Sequence, residues 1–326
     1  MSGPPLLEIR DLRVVFRTVS GDAPAVDGLS IVLEAGEALG LVGESGCGKS
    51  VTALSILGLT PRPAGRVVDG SSIRLRGEEL LRAGPERMRE VRGGEIGIVF
   101  QEPMTSLNPV LRVGDQVAEA VRAHLPVGRA ALPGRVMELL ETVGLPDAEQ
   151  IARAWPHQLS GGMRQRVLIA IALAGDPDLL IADEATSALD VTVQATILEL
   201  LDRLRRDRSM ALLLITHDLA VAARMTDRIA VMYGGHIVEE GDTRSVLDRP
   251  AHPYTAGLLN SIPDPARRGV RLEAIPGSVP GIGSWPGGCT FHPRCSRSFA
   301  RCEAESPPLL VGPATRAACW LLETDE

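Results

Sequence analysis

The chain has 326 residues, 44% of them hydrophobic and 23% charged, with a formal net charge of -7. That length admits one large domain or two smaller ones, and the composition is that of an ordinary globular protein. The acidic balance argues against a general nucleic-acid binder, whose phosphate contacts favour a basic surface. The opening "MSGPPLLEIRD" has no basic segment followed by an apolar one, so no signal peptide is read. The longest apolar run, "VLIAIALAG", is about half the ~18 residues of a spanning helix and reads as a buried one. A soluble chain, able to dock on a membrane protein, is expected.

Residues 6–34 alternate apolar and polar side chains, as in "LLEIRDLRVVF" and "LSIVLEAG", and are expected to form antiparallel strands. A short apolar strand, "EALGLV", follows, and beyond the next loop "SVTALSILGL" has helical spacing. Between them Gly43 through Ser50 reads G-x-x-x-x-G-K-S, the phosphate-loop pattern. Gly43, Gly46 and Gly48 permit a tight loop whose amides turn onto phosphate oxygens, and the helix adds its positive N-terminal dipole. Ser45, Cys47 and Val51 belong to the same expected ATP-binding set, with no redox role for Cys47. Lys49 is expected to reach the β/γ-phosphates and the Ser50 hydroxyl to bind Mg²⁺. Lys49 is the single lysine among 34 basic residues. Arginine elsewhere fits the codon bias of a GC-rich genome. A lysine kept here points to a need for a compact ammonium rather than a planar fork.

Residues 36–101 carry the phosphate-loop strand and helix and then a strand at "EIGIVF"; residues about 103–175 are mostly helical in pattern, with breaks at Pro126, Pro133, Pro146 and Pro156. Residues 176–217 return to strand–helix–strand. In "PDLLIADEATSALD" an apolar strand ends in two acids: Asp183 is placed to hold Mg²⁺ through water and Glu184 to polarise an attacking water. "RIAVMYGGHIVEEG" reads as a hairpin turning at Gly234-Gly235. The core is expected to be a mainly parallel α/β sheet with ligand at the carboxyl ends of its strands.

From about residue 249 the texture changes to a Pro/Gly-dense extension with little regular structure. Four of the five cysteines lie here, Cys289, Cys295, Cys302 and Cys319, spaced C-x₅-C-x₆-C-x₁₆-C. A reducing compartment disfavours disulfides. Structural zinc usually shows a closely paired C-x₂₋₄-C, which is missing; four thiolates at wider spacing fit an iron–sulfur cluster at least as well; unligated cysteines in a packed tail remain the third reading. Nothing in the sequence places this tail at the nucleotide site.

"QLSGGMRQRVLIAIALAGDP" carries L-S-G-G-x at Leu159 to Met163, and here the chain resembles the ATP-binding cassette transporters. By itself the stretch could be a Gly-rich helix cap, but the other elements of the family stand around it in order. The resemblance implies that Ser160, Gly161, Gly162 and Gln165 face nucleotide held by a second chain. It makes Gln101 in "GIVFQEP" the Q-loop glutamine, catalytic and a Mg²⁺ partner, and Asp190 in "SALD" the D-loop acid. It makes His217 in "LLLITHDLA" the switch histidine, against the alternative of a packed core histidine. Phe16 in "VVFRT" matches the aromatic that stacks on adenine, against the alternative of a core Phe. The chain has one of each motif and no internal repeat, so two sites require pairing with itself or a sister subunit.

"HPYTAGLLNSIP", "GCTFHPRC", "QEPMTSLNPV" and "LSGGMRQRV" resemble one branch, the ATPase subunits of bacterial oligopeptide/dipeptide/nickel importers. That resemblance implies an α/β cassette over residues 1–248, with a RecA-like parallel core, an antiparallel β subdomain and a helical subdomain, followed by the extension over 249–326. It implies an ATPase that powers import of di- or oligopeptides; the alternatives are nickel or another small solute as cargo, or a soluble non-transport ATPase. Implied partners are a head-to-tail ATPase dimer, two integral membrane permease subunits and, indirectly, an extracytoplasmic solute-binding protein, with no nucleic acid. The implied location is peripheral, on the cytoplasmic face of a bacterial cell membrane. ATP, Mg²⁺ and a [4Fe–4S] cluster on the four cysteines are the implied cofactors, with zinc as runner-up.

Overall fold

The computed structural model describes residues 3–19, 21–100, 106–187, 189–262 and 275–323. The chain divides into two compact units: Met1–Leu33, Ala38–Leu81 and Leu214–Glu326 form the first, Glu34–Glu37 and Arg82–Leu213 the second.

In the first unit the alternating N-terminal segment forms the expected antiparallel strands. Leu7–Thr18 pairs with Gly21–Leu33 on one side and with Gly65–Val67 and Ser72–Leu75 on the other. Its inward set, Leu7, Ile9, Leu12 and Val14, is buried; the period-2 pattern holds on each side of a register shift between Ile9 and Leu12. The strand Ala38–Val42 is buried at every residue and runs parallel to Arg228–Tyr233, which explains its unbroken apolar sequence. Arg228–Tyr233 turns back into His236–Asp242 with Tyr233 opposite His236, and Gly234 and Gly235 take φ of 50° and 79° at the turn.

The extension has more regular structure than its composition suggests. Arg316–Ala317 adds antiparallel to His236–Asp242, and Leu310–Val311 adds beyond it. Pro253 opens the helix Pro253–Asn260, where a missing N–H costs nothing, and His252 Nδ1 accepts the Tyr254 N–H at 3.1 Å. The buried carboxylate of Glu239 accepts from the N–H groups of Ala251 and His252 and from the Thr315 hydroxyl. Apolar packing completes the attachment: Val42, Val231, Tyr233, Tyr254 and Phe291 lie in one buried cluster, with ring centroids 4.7 Å apart for Tyr233–Tyr254 and 5.1 Å for Tyr233–Phe291. The extension therefore shares a core with the strand that leads into the phosphate loop.

Complete burial pushes the His252 pKa down from 6.5 to about 3. The unfolded chain binds a proton that the folded one refuses, so stability falls as pH drops from 6.5 toward 3. His252→Asn, which can still cap the helix, is expected to flatten that acid slope in urea melts run at several pH values.

In the second unit Ile96–Val99 runs parallel to Leu179–Asp183. The helical stretch holds Val113–His124, Leu132–Thr142, Ala148–Arg153 and Gly161–Ala172. Pro133 lies in the first turn of a helix and Pro156 opens a 3₁₀ turn, so these two start elements rather than end them. Pro126 and Pro146 fall between helices. Val167, Ile169 and Ala170 of the long apolar run are completely buried in Gly161–Ala172. Among the described residues no helix is long and apolar enough to cross a membrane.

Candidate nucleotide site

The loop after Ala38–Val42 has the shape its glycines foretell. A Cβ on Gly43 would fall 2.2 Å from the Met232 carbonyl oxygen, so only glycine lets the loop pass that close. Gly48 caps the helix Lys49–Ile56 at φ 111°, and a Cβ there would meet the Ala25 carbonyl oxygen at 2.6 Å. Ser45 and Gly46 are exposed at the tip, Ser50 and Val51 are half-buried, and Cys47 is buried, its thiol pushed up by desolvation against the pull of Lys49. Lys49 is 5% exposed and folds back on the loop, Nζ lying 2.7 Å from the Gly43 carbonyl oxygen and 3.0 Å from that of Glu44. The ammonium and the helix N-terminus thus meet at one loop, an arrangement suited to binding a polyphosphate. In the same unit Phe16 is half-buried on Leu7–Thr18 opposite Ala23 and Gly65, and His217 is exposed immediately after Ala211–Thr216. The exposure of His217 removes the packed-core alternative.

In the second unit Asp183 ends its strand buried at 5% exposure, and Glu184 follows in the left-handed region at φ 46°. The Glu184 carbonyl accepts from the N–H and hydroxyl of Ser187, both at 3.0 Å, which holds this uncommon conformation. Ser160 caps Gly161–Ala172 by accepting the Met163 N–H at 3.3 Å, and Ser160 and Gly161 are exposed, an open helix N-terminus. Asp190 caps Val191–Arg208 by accepting the Val193 N–H at 3.0 Å. Gln165, grouped by resemblance with residues that face a second chain, is instead completely buried, and its amide has no hydrogen-bond partner among the described residues. It falls on the inward face of its helix, as its neighbours Leu168 and Ile169 do. Gln101 lies outside the described residues.

Two family profiles match the chain: ABC transporter over residues 26–187 and the oligopeptide/dipeptide transporter C-terminal region over residues 238–302. A Brucella ovis protein assigned as a peptide import ATP-binding protein is 50% identical over 320 residues, covering 95% of this chain and 94% of the relative. This chain belongs to the ABC transporter family. A Brucella abortus protein with the same assignment is 48% identical over 315 residues, covering 97% of this chain and 94% of its own. An ATP-binding cassette in a dimeric post-hydrolysis state bound to ADP and Pi superposes with a TM-score of 0.64 at 27% identity, covering 73% of this chain and 99% of that one. The α/β fold is that of the ABC cassette.

This cassette's four tail cysteines are free and line one small cavity together with Phe291, His292 and Trp320. Burial pushes the thiols of Cys289 and Cys295 up, and that of Cys319 up to about 11. Backbone N–H groups pull the other way: those of Phe291 and His292 on Cys289, of Arg297 on Cys295 and of Leu321 on Cys319. Ionised together the thiolates repel one another and need a cation among them. The four thiols share one cavity, and backbone N–H groups face three of the sulfurs. Among the described residues no set of three or more His, Cys, Asp or Glu side chains is close enough to hold a metal ion as it stands.

One group of residues near the phosphate loop is not legible from any motif. Arg294, between the first and second cysteines of the expected cluster set, Cys289 and Cys295, pairs with Glu44 of the loop at 2.7 Å, and the Glu44 N–H donates to the Tyr254 hydroxyl at 2.9 Å. The expectation that the tail stands apart from the nucleotide site is corrected by these contacts. The available signal was compositional: Tyr233 and Tyr254 are the only two tyrosines.

Proposed function

We propose that this chain is the ATP-hydrolysing subunit of a bacterial peptide importer, with a cassette over about 1–248 and a metal-binding extension over 249–326. The observation that carries the proposal is the glycine loop closed around Lys49 at the start of Lys49–Ile56. ATP binds with its phosphates on the amides of Ser45–Val51 and the Lys49 ammonium, Phe16 against adenine, and Mg²⁺ held by Ser50, Gln101 and Asp183. Glu184 orients and deprotonates the attacking water, and His217 steadies the γ-phosphate. Ser160, Gly161 and Gly162 complete the site of a second cassette, identical or sister, with Asp190 beside the joint. Closure of the pair drives two membrane permeases, which receive cargo from an extracytoplasmic binding protein. The chain is peripheral, at the cytoplasmic face of the membrane. The profile matched over residues 238–302 supports peptide cargo over nickel.

Cys289, Cys295, Cys302 and Cys319 are proposed to hold a [4Fe–4S] cluster. A cubane offers a separate iron to each thiolate, so its sulfurs need approach one another less closely than around one tetrahedral zinc. When bound, the cluster supplies a covalent tie across the extension. The chain's part is to deliver four thiolates and the N–H groups that stabilise them.

Purified with its two permeases, any sister cassette and the extracytoplasmic binding protein in liposomes, the chain should drive ATP-dependent uptake of labelled di- and oligopeptides; uptake of nickel but not peptide would reassign the cargo, and no ATP hydrolysis would sink the proposal. The second-cassette role is tested at Gly161. A Cβ on Gly162 would meet Val193 Cγ1 at 2.7 Å, whereas at Gly161 the nearest atom is Leu189 Cδ2 at 3.4 Å. Gly161→Asp therefore fits, and an acid in the first turn suits its own helix. Across a dimer it opposes the γ-phosphate by about 4 kcal/mol at ~4 Å and intermediate dielectric. ATP-driven dimerisation by light scattering should be lost with nucleotide binding intact; unchanged dimerisation would leave the motif a helix cap only.

A further inference from the structure

Glu44, the second residue of the phosphate loop, is held at all three of its polar ends. Its carbonyl oxygen accepts from Lys49 Nζ at 3.0 Å. Its N–H donates to the Tyr254 hydroxyl oxygen at 2.9 Å. Its carboxylate makes a two-pronged pair with Arg294, 2.7 Å from Nη1 to Oε2 and 3.2 Å from Nη2 to Oε1. The Arg294 side chain is 6% exposed, while that of Glu44 is 33% exposed. Arg294 is itself anchored: Nε donates to the Pro276 carbonyl at 2.7 Å, and the guanidinium lies 5.7 Å from the Tyr233 ring centre. Arg294 ends the 3₁₀ turn His292–Arg294 directly before Cys295, and Tyr254 lies on Pro253–Asn260. Both come from the extension.

A guanidinium fork on a carboxylate is among the strongest side-chain pairs, and its planar geometry fixes direction as well as distance. Two consequences meet at the loop. The pair and the tyrosine hydroxyl fix the first peptide of the loop, and that peptide sets the path of the following amides that turn inward to bind phosphate. The guanidinium also cancels a carboxylate that would otherwise repel an incoming polyphosphate.

We propose that Arg294 and Tyr254 are positioning residues for nucleotide: through Glu44, the extension holds the phosphate loop in its binding shape and neutralises the carboxylate beside it. The proposal rests on this loop being the ATP site. It makes ATP affinity depend on the order of the tail around Cys295.

MgATP binding to the full chain by calorimetry tests this. Arg294→Ala is expected to raise Kd about tenfold. Arg294→Lys keeps the charge without the fork and should raise it about threefold. Tyr254→Phe deletes one oxygen and should also cost about threefold. In the double variant Glu44→Gln/Arg294→Ala no carboxylate is left to repel phosphate, so affinity should return to within about threefold of wild type. A merely structural role would make the two losses multiply and follow the melting temperature. Lys49→Ala runs alongside. A wild type that does not bind MgATP, or binds it as well without Lys49, overturns the phosphate-loop reading itself. Lys49-dependent binding left unchanged by Arg294→Lys and Tyr254→Phe overturns the positioning proposal alone, and those two mild variants carry the test if Arg294→Ala does not fold.

Discussion

Glu184→Gln is expected to bind MgATP with wild-type affinity and to hydrolyse it roughly 10²–10⁴-fold more slowly, the usual worth of a positioned general base. Glutamine preserves the size and one oxygen of the side chain, so the strand end and the water's place are kept while the proton acceptor is lost. The backbone makes this a clean test. Glu184 sits at φ 46°, pinned by Ser187, and glutamine pays no more than glutamate to stay there. ATP binds and closes the dimer but is not consumed, so the variant should accumulate as an ATP-bound pair by light scattering while steady-state phosphate release falls. Turnover within a few-fold of wild type would remove Glu184 from the role.

Cys295→Ser is expected to have the next largest effect. Anaerobically purified wild type should carry about four irons per chain, one for each thiolate. The serine variant should lose them, and residues 275–323 should become more protease-sensitive, because a metal tie adds to an attachment that otherwise rests on a few buried apolar residues, Phe291, Ala317 and Trp320 among them. The pH dependence has a definite sign. Burial raises the thiols, to about 11 for Cys319, and ligation requires thiolates, so iron incorporation should strengthen as pH rises. Stoichiometric zinc without iron in anaerobic protein would overturn the cluster and keep a structural metal; a metal-free protein with a protease-resistant tail would overturn both. The variant should also bind ATP less tightly, since Arg294 precedes Cys295 and holds Glu44. The sequence suggested an unaffected phosphate loop.

The nucleotide chemistry was legible because it is local. A phosphate loop is one continuous run, Gly43–Ser50, and each glycine answers a constraint within a few residues or against one neighbouring strand. The same holds for Glu184, which the apolar strand before it delivers, and for the hairpin at Gly234-Gly235, whose positive φ values demand glycine. Gln165 was misplaced for the opposite reason. A motif states order along a chain, whereas the 3.6-residue turn of Gly161–Ala172 decides which side of the helix a residue faces, and position 165 faces in.

The sequence by itself determined the phosphate loop, the acid-ended strand, the family and the presence of four thiols, since short-range spacing encodes each of them. Only the tertiary structure decided that the tail belongs to the same core as the loop. Arg294 and Glu44 are 250 positions apart, and no periodicity links them. What joins them is the packing of Tyr233, Tyr254 and Phe291 around Val42. That burial brings a guanidinium into line with a carboxylate, and long-range packing of this kind follows from how the surfaces fit once folded, which no local pattern records.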